Sequence, residues 1–503
     1  MSRRVTDAQP GFAGGLNLTA DQSKLAENEL RLATNIRLGE DGGATKRRGT
    51  RRVNDAALAG GAPIRGGLSW RKPSSVEEVV VAGGHLHTGA FAFGMSWTPI
   101  AGTLSLTQPA HLVHFRDGTN EVVYLADGGP LNKYDGSTLA ENIADTGTPA
   151  RLAVYNRRLL SCSGLDQAID YSALENGDTL AIGASGGGRA IVRTFGDQRV
   201  RNVVTVGGSL FIIHDTGISR FTGWTQDDIS IQSGAQGVTG RIGSVSPRSA
   251  IVTEADRASE TRFSGVYFAA QNGIYRVGEA GDAVLVSHRV RDLWRRLTLT
   301  QLEGVIGQWC DEFKECWWTI PNVGVLVYNT VLDAWSGPWT GVYLQPTTAM
   351  WETLDANGRT IILTGSHLGH LHQADVFEAR RDDLSQAGTD GVAFRSELGL
   401  RRLFAGFAGS DKSWRWGYLL ANPRGSSGMR VEWRTPTDTD EYPIESVGGK
   451  WGAFRWGKGS ARPFRIPMSG RGAYVDVTVL DDGFGESVVS SFTVEGFDYG
   501  RRG

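Results

Sequence analysis

The sequence predicts an all-β protein: a β-propeller of six to eight blades, preceded by an N-terminal platform-like segment and followed by a β-sandwich-like domain. Three observations carry that expectation. Glycine and tryptophan are plentiful, 68 and 15 of 503 residues, while methionine is scarce at 5, and runs rich in Leu, Ala, Lys and Glu that would build long helices are few. Short β-branched and aromatic runs closed by Gly, Asn or Asp recur through roughly the first 375 residues. These runs group into hairpins at irregular spacings of roughly 30 to 60 residues, which bracket the blade length of propellers.

In chain order, residues 1–60 form an N-terminal assembly segment, in which Ala20 to Ile36 has the composition of a short helical turn. The propeller is expected over 61–375, and seven hairpins fall within it. The clearest run through Val122–Asp135, Ser209–Phe221, Gly265–Val277 and Thr360–His372, where an apolar strand meets a Gly-containing turn and a shorter strand returns. Further pairs lie at about 64–93, 151–174 and 312–339. A second short helix is expected near Val290–Leu297. Closing the strands into a ring explains how so many short strands avoid exposing long edges; a pair of β-sandwiches without a ring has the same alternation and stays open. Residues 376–410 are charged and lack the hairpin pattern, so they read as a linker. Strict alternation returns at Arg430–Arg434, Ala473–Leu480 and Ser491–Phe497, giving a C-terminal β domain over 411–503.

Charge and cysteine content bound the function. Lys plus Arg number 52 against 54 Asp plus Glu, a net charge of −2, so no overall positive field favours gripping nucleic acid. Cys162, Cys310 and Cys316 are too few for a disulfide framework and fit assembly in a reducing compartment. Neither a signal-peptide stretch nor a window long enough for a spanning helix is found, so the expectation is a soluble protein that is not exported by the usual route.

Candidate chemistry is sparse. The pairs His85/His87, His111/His114 and the triplet His367/His370/His372 have spacings that can place imidazoles on one strand face, but no local Cys or carboxylate completes a metal shell, and hydrogen-bonded strand histidines account for them. The three cysteines read as small core residues, with oxidative pairing of Cys310 and Cys316 across a turn as the second reading. The acidic pairs Glu77-Glu78, Asp227-Asp228, Asp382-Asp383 and Asp481-Asp482 read as solvated loops, because neighbours on a strand face opposite ways. The glycines at 183–188 lack the Lys-Ser/Thr of a phosphate loop, and no Asp-box of the sialidase-like enzymes occurs. No catalytic residue, metal site or cofactor is therefore assigned, and an enzyme is not expected. The densest charge cluster, Lys46, Arg47, Arg48, Arg51 and Arg52, suits a subunit or adaptor contact, with DNA as the second reading. Most tryptophans, including those at 451–456, read as core, while Trp414 and Trp416 are candidates for a protomer interface.

Phe12-Ala-Gly-Gly-Leu-Asn, followed by Asn35-Ile-Arg and then Gly43-Ala-Thr-Lys-Arg-Arg-Gly-Thr-Arg, resembles the "GGLN … N … R.G" opening of phage tail and neck proteins. Tyr155–Gly164 with Ile169–Asp178, and the hairpin Val203–Phe221, are similar to later segments of the same proteins. The matches run in order over about the first 290 residues and consist of glycine turns and apolar strands, so order and spacing carry the likeness. In this order and spacing the chain resembles the tail nozzle proteins of short-tailed bacteriophages, also called tail tubular protein B. That resemblance implies a structural virion protein in a ring, typically a hexamer. It would be assembled in the host cytoplasm, contact the portal or adaptor protein and tail fibre or other tail proteins, and let double-stranded DNA pass through a channel without a small-molecule substrate. It makes Phe12, Gly14, Gly15 and Asn17 candidate assembly or adaptor contacts. A receptor- or glycan-binding propeller at the tail tip or baseplate is the alternative.

Overall fold

Alternation along each strand sets how the blades pack. The computed structural model describes residues 3–73, 75–143, 146–180, 186–192, 198–221, 235–239, 241–253, 263–278, 283–341, 344, 347–376, 379, 381–385, 390–423, 428–444, 461–485 and 487–499. Six self-contained four-stranded antiparallel sheets are blades of a β-propeller, and a further four-stranded unit completes the ring. Blade 1 spans residues 64–100, blade 2 spans 111–140, blade 3 spans 151–191, blade 4 spans 200–239 and blade 5 spans 251–285. Blade 6, residues 306–339, is that further unit and belongs to a larger sheet; blade 7 comprises residues 347–376 plus the strand Gly49–Arg52. Each of the seven sequence hairpins lies in a different blade. The inner strand of blade 7, Thr347–Leu354, packs beside that of blade 1, Ile64–Lys72. Gly49–Arg52, from ahead of blade 1, pairs with Leu371–Val376 and so joins the two ends of the ring.

A blade is buried on both faces, so its odd and even residues enter different cores. In blade 1, Val79 and Val81 pack toward blade 2, while Val80 and Ala82 pack toward blade 7. In blade 6, Trp317 enters the core shared with blade 7 and Trp318 the core shared with blade 5. The same parity separates two cysteines. Cys310 pairs with Glu315 and Cys316 with Trp309, so the two thiols lie on opposite faces of one sheet, in different cores, and the oxidative pairing is ruled out by geometry.

Two large sheets lie beside the ring. The last strand of blade 6, Ala334–Trp339, continues a ten-stranded sheet through Glu29–Thr34, Ser396–Leu400, Asp476–Asp481, Met429–Arg434 and Thr439–Pro443. A seven-stranded sheet is centred on Lys412–Pro423 and Ser487–Asp498, and Arg3–Gln9 pairs with the latter. Leu398, Val431 and Val477 of the first sheet share a core with Leu419, Phe492 and Val494 of the second, the face-to-face packing of a sandwich.

Three expectations are corrected here. Ala20 to Ile36 is not a helix: Glu29–Thr34 and Ile36–Leu38 are strands, with Asn35 at φ 55° between them. Leu30 and Ala33 are fully buried and the strand pairs with Ser396–Leu400, so long-range pairing overrides local propensity. Residues 376–410 are no linker, because they supply Ser396–Leu400 to the ten-stranded sheet. Residues 1–60 are not a separate segment, since their strands enter both large sheets and blade 7. The helix near Val290 is present as a 3-10 turn, His288–Val290, followed by Arg291–Trp294, with a second short helix at Leu299–Glu303.

Candidate functional site

The residues singled out at the N-terminus converge on the junction between ring and sandwich. Phe12 is fully buried and its amide donates to Gly42 O at 2.8 Å, while the amide of Gly15 closes a turn on Phe12 O at 2.9 Å. Gly15 has φ +67°, and a Cβ there would lie 2.6 Å from Trp335 O, so only glycine lets this turn lie against blade 6. The amide of Gly14 donates to Asn28 O at 3.0 Å. Asn17 Nδ2 donates to Glu29 at 3.0 Å, and its Oδ1 accepts from the amides of Thr19 and Ala20. Arg289, at the end of the blade-5 connection, donates to Gly14 O and pairs with Glu29. Phe12, Gly14 and Gly15 thus act inside one chain and present no contact surface.

The basic cluster is drawn in the same way. Lys46 is buried, its ammonium donating to Gly483 O at 2.7 Å and lying 4.8 Å from the Phe394 ring; burial pushes its pKa down, with Asp481 opposing. Arg47 is 2% exposed and makes a forked pair with Asp382 at 2.8 and 2.6 Å, while its Nε donates to Asn35 Oδ1 at 2.9 Å. Arg52 forks onto Asp383, which also accepts from buried His372 at 3.0 Å. Arg48 lies 3.8 Å from Asp375, and Arg51 stacks 4.0 Å from Phe93. Arg37, from the same segment, bridges Glu315 and Asp375; burial would lower its pKa, but the two carboxylates raise it further. Lys46 and Arg47 are therefore internal anchors rather than partner contacts, because a buried and saturated cation has nothing left to offer another protein. Arg48, Arg51 and Arg52 keep partial exposure.

The acidic pairs are the counterparts. Asp382 and Asp481 are buried, as is Glu78, which accepts from Trp351 at 2.9 Å and Ser69 at 2.9 Å; burial raises its pKa against those hydrogen bonds. These are structural carboxylates and not solvated loops, while Asp227-Asp228 lies outside the described residues. Trp414 is 1% exposed and belongs to the shared sandwich core, which removes it as a protomer contact. A bulge between Trp414 and Trp416 turns the second ring outward, where it is half-buried under Arg465, 3.5 Å above it. Trp451 and Trp456 lie outside the described residues. No group of three metal-ligating side chains occurs among the described residues, and no helix among them is long and apolar enough to cross a membrane.

A different concavity lies at the centre of the ring. The first residues of the seven inner strands surround a central cavity of about 390 Å³, the volume of a small-ligand pocket and far too small for a duplex whose major groove alone is about 12 Å wide. Arg65, Arg151 and Arg248 reach it from blade 1, blade 3 and the approach to blade 5. Sequence reading missed this trio because the three lie roughly a hundred residues apart and only ring closure brings them together.

No family model and no curated protein matches the chain. Among solved structures, the chain is similar to the extracellular domain of a hybrid two-component system of B. thetaiotaomicron, at 9% identity and TM-score 0.44 over 65% of this chain and 39% of that one. The match thus spans about two fifths of that domain. It is also similar to a streptogramin B lyase, at 7% identity and TM-score 0.42 over 65% of this chain and 97% of that one.

Proposed function

We propose that this chain is a non-enzymatic structural protein of a bacteriophage tail, a nozzle or hub that forms part of the DNA exit channel and joins the portal or adaptor to distal tail parts. The observation that carries this reading is the ten-stranded sheet running from blade 6 through Glu29–Thr34 into the C-terminal sandwich. Backbone ladders across that boundary, together with the pairing of Arg3–Gln9 on Ser487–Asp498, make ring and sandwich mechanically continuous. A part that bears the pressure of packaged DNA needs that continuity, and a tethered binding module does not. The motif order at the N-terminus supports the same reading, since its glycines and asparagines form the seam itself.

The central cavity is too small for duplex DNA, so in this reading the channel runs between protomers arranged in a ring, a hexamer by the resemblance. A net charge of −2 suits such a wall, because few phosphate contacts mean little counterion exchange as the polyanion slides. The test is electron microscopy of the purified protein, alone and with its adaptor. Six-fold rings with a hole of duplex width are expected. Monomers or trimers without a hole, even with the adaptor present, would overturn the nozzle and favour the receptor- or glycan-binding propeller.

A further inference from the structure

At the mouth of the central cavity three guanidinium groups meet without an acid. Arg65 Nη2 donates to Leu106 O at 3.0 Å. Arg151 Nε donates to Pro247 O at 2.9 Å and its Nη1 to Ala150 O at 3.3 Å. Arg248 Nη1 donates to Thr348 O at 2.9 Å. These bonds to backbone carbonyls hold the side chains in place, yet they leave most of the guanidinium N–H groups for another acceptor, and Arg65 Nε is buried with no partner. Among the described residues no carboxylate lines the cavity, and none is paired with any of the three arginines.

Two further polar side chains of the lining also offer donors. His111 Nδ1 accepts from the amide of Leu152 at 3.0 Å, so the ring carries its proton on Nε2. Asn202 Oδ1 accepts from the amide of Val203 at 2.8 Å, leaving its amide nitrogen as a donor. The charges disturb one another: burial, then the nearby Arg248, pulls Arg151 down to about 9, while burial and Arg65 pull Arg248 down to about 10. Burial and Arg151 hold His111 neutral, at about 3. Cations buried together without an acid are costly, and an anion is what relieves them.

We infer that the mouth of the central cavity binds a small oxyanion, a phosphate-bearing or polycarboxylate molecule, gripped by Arg65, Arg151 and Arg248 with His111 as a neutral donor. Arginine forks match planar and tetrahedral oxyanions through paired N–H bonds, and the cavity below has room for the body of a small ligand. The site depends on the ring of blades alone, so it stands apart from the tail reading.

The experiment titrates inorganic phosphate, citrate and chloride into the intact protein at constant ionic strength, by calorimetry and by thermal melting. Saturable binding of phosphate or citrate at one site per chain is expected, with a rise in melting temperature that chloride does not match. Phosphate alone would identify a phosphate group, citrate alone a polycarboxylate, and both the shared oxyanion chemistry. Arg248→Gln is expected to weaken binding by about tenfold or more, and Arg65→Gln with Arg248→Gln to abolish it. If the double variant does not fold, Arg65→Gln alone gives the same reading. No saturable binding, an equal response to chloride, or unchanged affinity in the variants would overturn the inference.

Discussion

Two groups of arginines in this chain solve opposite problems. At the junction, Arg37, Arg47 and Arg52 meet Glu315, Asp375, Asp382 and Asp383 through forked or bridging pairs. At the cavity mouth, Arg65, Arg151 and Arg248 meet only backbone carbonyls and one another. The first group is complete within the chain and holds three parts of the fold together. The second is incomplete, and its incompleteness is the mark of a site. Burial alone separates nothing here, since Arg47 and Arg151 are 2% and 4% exposed; what differs is whether the fold supplies a counter-charge.

The largest expected effect tests the first half of that contrast. Arg47→Met leaves Asp382 charged in a buried place, and breaking a buried pair from one side costs about 3–5 kcal/mol. Urea unfolding should show a loss of that size. Arg47→Met combined with Asp382→Leu should recover much of it, because removing both charges also removes the desolvation penalty. A loss under 1 kcal/mol in the single variant would mean that the junction does not depend on its charges.

A second effect comes from acid. Burial holds His214 at about 4 and, with the field of Arg151, His111 at about 3. Burial also lowers His372, against the hydrogen bond to Asp383 that raises it. Below about pH 6.5 the unfolded chain takes up protons on these histidines that the folded chain refuses. Stability therefore falls as pH drops from 6.5 toward 4, by on the order of a few kcal/mol. Asp383 is shifted below its ordinary value, so its contribution persists through that window and is lost at lower pH. Urea midpoints between pH 7 and 4 check this, and His111→Gln should flatten the acid limb. A flat profile in the wild type would sink the account.

Much of the propeller was legible because its signal is local. The clearest hairpins, such as Ser209–His214 turning into Ile218–Phe221, carry their own strands and turn in under fifteen residues. The strand Glu29–Thr34 was not, since its partners are residues 396–400 and 337, and nothing within its own window announces them. The basic cluster was found and its role misread: Lys46–Arg52 and Asp382-Asp383 were each visible as charge runs, yet their mutual pairing depends on a chain separation of more than three hundred residues. Opposite runs flanking a predicted ring were the available clue. For the cavity trio no clue existed short of aligning the blades by their inner strands, where Arg65 and Arg151 fall at or near the first position and Arg248 lies just ahead of Ile251–Thr253.

The smallest effect is the most discriminating because its sign differs. Arg248→Gln removes a cation that has no acid to answer, so in a buffer free of phosphate and polycarboxylates it should leave stability within about 1 kcal/mol of wild type, or raise it. Relief from Arg65 and from Arg151 offsets the lost bond to Thr348 O and the lost packing. The same variant should lose the stabilisation that phosphate or citrate gives the wild type, which by mass action is set by the ligand's affinity for the folded state. A loss of 3 kcal/mol or more without added anion would instead assign Arg248 to the same class as Arg47, an internal anchor, and would erase the difference between the two groups.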